Sequence, residues 1–233
     1  MQSLAYGAWV FQEHGPDPRA TLMRNSPGFI VLEGIDGAGK SSQITALVAW
    51  LRENRCTVTT CRDPGSTAAG DAIRSILLDR QEVTLVQTAE MLLYMAARAQ
   101  LVAEIIRPAL ARGEWVVSDR YLLANIVYQG HAGGLDPEIV RQVGAVATGG
   151  LQPDLVLFLD LDLETASRRL SRPLDKLENR GDEFRKRLHD GYRIEAARQP
   201  DRIAVIDATG SIDHVAARLR DAVSQRLETG FTS

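Results

Sequence analysis

The chain has 233 residues, 45% hydrophobic and 24% charged, with a formal net charge of −3. That balance suits one α/β domain with a full core. It excludes a broad cationic surface for nucleic acid or membrane, so any anion must be met by locally clustered arginine. Cys56 and Cys61 are too few for a zinc site or a disulfide framework and read as packing residues. No apolar run is long enough to span a bilayer. The short apolar stretch Leu4 to Phe11 lacks the preceding basic cluster of a secretion signal, so the expected location is cytoplasmic.

Residues 1–27 carry Gly15-Pro16-Asp17-Pro18 and no sustained period, and read as an extension outside the fold, open to disorder. Phe29 to Leu32 is a buried strand, followed by a glycine-rich turn and a helix from Ser42 to Leu51. Thr57 to Cys61 is a second strand, running into the turn-rich Arg62-Asp63-Pro64-Gly65-Ser66-Thr67. Helical patterns follow at Ala69 to Leu78 and from Thr84 through Ala111. Trp115 to Ser118 is a third strand ending in Asp119-Arg120-Tyr121. A helix then runs to Gln129, a glycine-rich turn spans Gly130 to Gly134, and Pro137 to Thr148 is helical. Leu155 to Leu159 is a fourth strand, Arg168 to Arg187 an arginine-rich polar stretch, Ile203 to Ile206 a fifth strand, and Ile212 to Leu227 a closing helix. Strands alternating with helices, without a repeat or a linker, predict one domain over residues 28–228. Its fold class is a three-layer α/β/α arrangement around a five-stranded parallel sheet.

Gly34-x-x-x-x-Gly39-Lys40-Ser41 has the spacing of a phosphate loop, in the strand-before, helix-after context that the pattern requires. Glycines let backbone N–H groups turn inward around a polyphosphate, and the helix N-terminus adds a positive dipole end. The loop residues Gly34, Ile35, Asp36, Gly37, Ala38 and Gly39, with Lys40, Ser41 and Ser42, form the expected triphosphate cradle. Lys40 reaches the outer phosphates and Ser41 ligates Mg²⁺. A guanine-specifying Asn-Lys-x-Asp is absent, and no strand ends in the Asp-Glu pair that many hydrolytic ATPases use. Asp119-Arg120 and a late arginine-rich segment stand instead. Transfer between two anionic substrates needs cations on both, which arginine supplies best.

Phe29 to Gln43, Arg62 to Thr67, Ala96-Ala97-Arg98-Ala99-Gln100, Asp119-Arg120-Tyr121-x7-Gln129-Gly130 and Asp175-Lys176-Leu177-Glu178 resemble, in order, successive motifs of the thymidylate kinase family. The resemblance covers about residues 28–228. It implies a P-loop kinase fold with a mobile lid near 168–182, transfer of a phosphoryl group from ATP to dTMP with Mg²⁺, and a homodimer. Under it, Asp36 meets the sugar 3′-hydroxyl, Asp63 and Pro64 close on the nucleotide with the proline a candidate cis residue, and Arg74 faces the acceptor phosphate. Tyr94 stacks on thymine and Arg98, one turn on, donates to a base carbonyl. Asn125 meets the pyrimidine edge, Tyr128 closes against the sugar and Gln129 adds a polar contact. Asp119 becomes a water-linked Mg²⁺ ligand and Arg120 the clamp on the transferring phosphoryl group. Asp207-Ala208-Thr209 borders adenine.

The chain departs from the family pattern at several positions. Asp63 stands for a Glu, Ser66 for a Gly, Tyr94 for a Phe and Lys176 for an Arg, while Ala124 lacks a common hydroxyl. The phosphate loop has no basic residue before Lys40. A lid cation is therefore expected to supply the missing charge, from Arg168, Arg172, Lys176 or Arg180, with Arg172 and Arg180 taken as catalytic. Another nucleotide kinase, or an ATP-binding regulatory protein without transferase activity, remains open at this level.

Overall fold

The computed structural model describes residues 27–80, 82–169 and 181–227. Five strands form one sheet in the order β2-β3-β1-β4-β5, and every neighbouring pair is parallel. They are β1 (Phe29–Glu33), β2 (Val58–Arg62), β3 (Trp115–Asp119), β4 (Leu155–Asp160) and β5 (Ile203–Asp207). The three central strands are apolar and buried nearly throughout, as parallel strands covered on both faces must be. β2 and β5, at the edges, mix buried and exposed positions. β1 is therefore flanked by β3 and β4, and the chain leaves it toward β2 and β3 on one side and toward β4 and β5 on the other. That arrangement opens a crevice at the carboxyl ends of the strands.

Each strand runs at least one residue beyond its apolar pattern, to Glu33, Arg62, Asp119, Asp160 or Asp207. These end residues pair in the sheet like the others, as Arg62 does with Asp119 and Asp160 with Asp207. Hydropathy stops short of them because they are charged; Arg62 and Asp119 border the crevice, whereas Glu33 is fully buried. Helices flank the sheet on both sides: α1 (Lys40–Glu53), α2 (Ala68–Arg74, widened into a π-helical stretch over Ser75–Asp79), α3 (Gln87–Leu101, likewise widened over Val102–Ile106) and α4 (Arg107–Ala111) come first. α5 (Leu122–Asn125, prolonged by a π-helical stretch over Ile126–Ala132), α6 (Pro137–Thr148), α7 (Leu163–Arg169), α8 (Asp182–Arg198) and α9 (Ile212–Arg226) follow.

α8 is the main departure from expectation. Arg168 to Arg187 reads in sequence as a polar stretch, yet α7 takes up its start and α8 its end and continues to Arg198. The charge density hides a spare apolar stripe: Phe184, Leu188, Tyr192 and Ala196 recur every four residues and are all buried. Tyr192 stacks on Phe158 of β4 at 5.0 Å and 14°. Gly191 lets the helix lie against α5, since a Cβ there would meet the His131 side chain at 2.8 Å. The expected turn at Gly130 to Gly134 starts later, because the helical path persists to Ala132. The extension expected before residue 27 and residues 170–180 of the expected lid, with Arg172, Lys176 and Arg180, lie outside the described residues.

Phe158 is fully buried between the sheet and α8. Phe158→Ala should destabilise the protein by about 3–5 kcal/mol through lost burial and a cavity under Tyr192, read by urea unfolding. A cost below about 1 kcal/mol would mean that α8 closes the gap unaided.

Candidate active site

The carboxyl ends of the strands open onto a cavity of about 850 Å³. Its floor is the turn between β1 and α1. Gly34, Gly37 and Gly39 have φ of 141°, 86° and 95°, values that side chains resist. Gly37 is also held by space, because a Cβ there would lie 2.2 Å from the Ala166 carbonyl oxygen of α7. Gly39 precedes α1 at its N-cap and offers no side-chain cap, which leaves first-turn N–H groups for a ligand. Lys40 folds over the loop, its Nζ donating to the carbonyls of Gly34 (3.0 Å) and Ile35 (3.1 Å), 3.5 Å from Asp36. Burial, and then the Arg120 charge, hold its ammonium below the ordinary value.

Arg120, just after β3, occupies the centre. Its φ of 69° is unusual for a residue with a side chain. The guanidinium reaches Asp36 Oδ1 at 2.8 Å, the Tyr192 hydroxyl at 3.0 Å and the Tyr128 hydroxyl at 3.1 Å, and lies 5.0 Å from the Tyr128 ring centroid. Glu33 Oε2 is 3.9 Å away. Burial opposes the Arg120 charge, but the two phenols and two carboxylates outweigh it and hold the group protonated far above its ordinary range. Glu33, fully buried, accepts from the Tyr121 and Ala124 N–H groups (2.9 and 3.2 Å) and from the Tyr192 hydroxyl (2.9 Å). Burial nonetheless pushes its carboxyl up to about 7, against the pull of Arg120. Asp119 Oδ1 is buried without a hydrogen-bond partner.

The third wall carries Asp63-Pro64, joined by a cis peptide bond. Asp63 Oδ2 accepts from Arg98 Nε at 2.5 Å, and Arg98 also donates to the Tyr121 carbonyl at 3.2 Å. Arg98 is 1% exposed. Burial raises the Asp63 carboxyl even so. Ser66, where glycine is usual in the resembling family, has φ 65°. Its Oγ accepts from the Arg62 N–H (2.9 Å) and its own N–H donates to Asp71 (3.1 Å), which holds that conformation. Arg74 donates to the Pro64 carbonyl at 3.0 Å.

Among the described residues, the site residues expected from sequence border this cavity except Gly34 and Ile35, whose carbonyls hold Lys40, and Asp207, Thr209 and Arg168. Asp36, Asp63, Arg74, Tyr94, Arg98, Asn125, Tyr128 and Gln129 meet Lys40, Ser41, Asp119 and Arg120 around one space. Ala208 also borders it, with Gly210 and Arg169. Arg168, by contrast, is exposed and paired with Glu164 on its own helix at 2.9 Å. Glu33 and Tyr192 escape sequence reasoning. Glu33 sits within an apolar strand motif, and Tyr192 lies 159 residues away on a helix masked by charge.

A family model described as thymidylate kinase matches residues 32–219. The chain is similar to the thymidylate kinase of Chromohalobacter salexigens, 43% identical over 207 residues that cover 87% of this chain and 98% of that protein. It is also similar to the thymidylate kinase of Pelotomaculum thermopropionicum, 46% identical over 184 residues, covering 78% and 85% respectively. Among solved structures, the crystal structure of thymidylate kinase from Ehrlichia chaffeensis matches with a TM-score of 0.71 at 27% identity. That match covers 85% of this chain and 99% of the other.

Glu33 binds its proton more tightly folded than unfolded, its carboxyl being raised from 4.5 to about 7. The stability it contributes is complete below the unfolded value and lost as pH rises through the folded one. Relative to Glu33→Gln, the wild-type protein should lose about 3 kcal/mol of unfolding free energy between about pH 4 and pH 8. Equal pH dependence for both proteins in urea titrations would mean that the Glu33 carboxyl keeps its ordinary value in the folded protein.

Proposed function

The chain belongs to the thymidylate kinase family, as the match over residues 32–219 and relatives above 40% identity establish, and on that premise we propose how its residues carry out the reaction ATP + dTMP → ADP + dTDP. The observation that carries the reading is Arg120, a partly buried cation fixed between the phosphate loop and the acceptor helix by partners from four elements. Such a group is pre-set to meet charge that shifts from donor to acceptor, with no reorganisation at the moment of transfer.

In this reading the amides of Gly37 to Ser41 hold the triphosphate, and Lys40 moves its N–H donors from the loop carbonyls to the outer phosphate oxygens. Asp36 fixes the sugar 3′-hydroxyl of dTMP and Tyr128 lies against the sugar. Tyr94 stacks on the base, with Arg98, Asn125 and Gln129 at its edge and Arg74 toward its phosphate. Asp63 acts through Arg98, which it orients by their 2.5 Å contact. Asp119 and Ser41 suit Mg²⁺, because Asp119 offers a buried, unpartnered carboxylate oxygen beside the cavity that Ser41 also lines. Mg²⁺ usually takes one or two carboxylates and completes its shell with water and phosphate oxygens; when bound it would neutralise phosphate charge. Arg172 and Arg180, from the lid over 168–182, supply the cation that the loop lacks, and closure of that segment excludes water.

The same proposal includes a homodimer working in the cytoplasm. Leu92 on α3, with Ile139 and Val146 on the packed neighbour α6, are more than half or half exposed, Val146 at 83%. Apolar side chains so placed favour a covering copy. No helix among the described residues is long and apolar enough to cross a membrane.

ADP release from ATP and Mg²⁺ should depend on the acceptor, with dTMP far ahead of dCMP, dAMP, dGMP and thymidine. Preference for another monophosphate would keep the phosphate loop but overturn the base pocket, and no acceptor-dependent release would leave only a nucleotide binder. Arg120→Ala should cut kcat by about 10²-fold or more with little change in ATP affinity. Equal losses in binding and rate would make Arg120 a ground-state clamp.

A further inference from the structure

Three buried polar side chains form a chain beside the acceptor end of the cavity. Glu90 on α3 accepts a hydrogen bond at Oε1 from Gln129 Nε2, at 2.9 Å. Gln129 Oε1 in turn accepts from Asn125 Nδ2, at 2.6 Å. Asn125 Oδ1 is left, buried and with no hydrogen-bond partner. All three residues are at most 5% exposed, and Asn125 and Gln129 border the cavity.

The order of donors and acceptors in this chain is forced from one end. A carboxylate only accepts, so Gln129 must turn its amide NH₂ toward Glu90. The Gln129 carbonyl then faces Asn125, which must answer with its own NH₂. A flip of either amide would set two acceptors against each other inside the protein, where an unpaired polar group is costly. The Asn125 carbonyl is thereby committed as the free end of the relay. An unpartnered buried carbonyl costs free energy until an N–H donor meets it.

We propose that Glu90 is a positioning residue that decides which class of pyrimidine the acceptor site takes, by fixing Asn125 as a hydrogen-bond acceptor through Gln129. The proposal rests on the reading of this cavity wall as the base pocket. A pyrimidine dione, thymine or uracil, carries an N–H at ring position 3 and a carbonyl beside it. The N–H suits the Asn125 oxygen, and the carbonyl suits the donor-only guanidinium of Arg98. Cytosine reverses both groups, offering a bare ring nitrogen and an amino group. It would set acceptor against acceptor and donor against donor. The relay does not touch the methyl group that separates thymine from uracil, so it treats those two bases alike.

The test is kcat/KM for dTMP, dUMP and dCMP in the wild-type protein, Glu90→Gln and, independently, Gln129→Met. A glutamine at 90 can either donate or accept, so the relay loses its direction while side-chain length is kept. The dTMP/dCMP ratio should fall by at least about tenfold in both variants, with dTMP and dUMP falling together and the KM for ATP unchanged. Parallel loss for all three acceptors would show that Glu90 only supports the fold, and an unchanged ratio would show that Asn125 is oriented by something else. Either result overturns the relay. Failure of the base-pocket reading is separable, because it shows in the wild-type protein as a preference for dCMP over dTMP.

Discussion

The site depends on keeping one guanidinium charged, largely withdrawn from water and held in place. Arg120 gives up most of its hydration, a loss that only close opposite charge and hydrogen bonding can offset. Asp36 from the phosphate loop, Glu33 from the end of β1, Tyr128 from the helix after β3 and Tyr192 from α8 all supply that compensation. Because the partners come from four elements, the position of the charge reports the packing of the whole sheet edge. The unusual backbone conformation at Arg120 is held by other bonds: its N–H donates to the Leu32 carbonyl at 3.0 Å and its carbonyl accepts from Ser118 Oγ at 2.7 Å.

A second constraint is the economy of the sheet's carboxyl edge. Parallel strands end together there, so polar residues placed last in each strand converge without any long-range sequence signal. Glu33 and Asp119 illustrate two uses of that edge. Glu33 is enclosed by N–H and hydroxyl donors and serves its neighbours, whereas Asp119 keeps one oxygen without a hydrogen-bond partner beside the cavity. Asp160, further along the edge, is tied to His189 and Arg193 of α8 at 2.8 and 2.9 Å. α8 is thus fastened to the edge through Tyr192, His189 and Arg193. These bonds connect α8 to Glu33 and Arg120 at the cavity end of the sheet.

The acceptor wall shows how buried polar groups acquire meaning from their order. Asp63 on Arg98 and Glu90 on Gln129 each place a carboxylate behind a side chain that borders the cavity. In both cases the acid removes freedom from the group in front of it. The shorter Asp63, in place of the longer acid usual in the resembling family, still makes that contact.

Local sequence determined the strands, most of the helices and the phosphate loop, because apolar periodicity and glycine spacing act within a few residues of where they are written. The motifs around Asp36, Arg98, Asp119-Arg120 and Asn125 were legible for the same reason, each being short and set at a strand end or on one helix face. Only the tertiary structure decided what those groups do to one another. Arg98 meets Asp63 across 35 residues, and Tyr192 meets Glu33 across 159. α8 escaped the sequence because four buried apolar side chains in a run of charge carry too weak a period, and their value lies in what they touch. Glu90 gave no signal either, since a lone acid on an amphipathic helix looks solvated until the fold closes Gln129 over it. Hydrogen bonds and buried charges are set by separations of about 3 Å, and only a folded chain fixes distances on that scale between residues far apart in sequence.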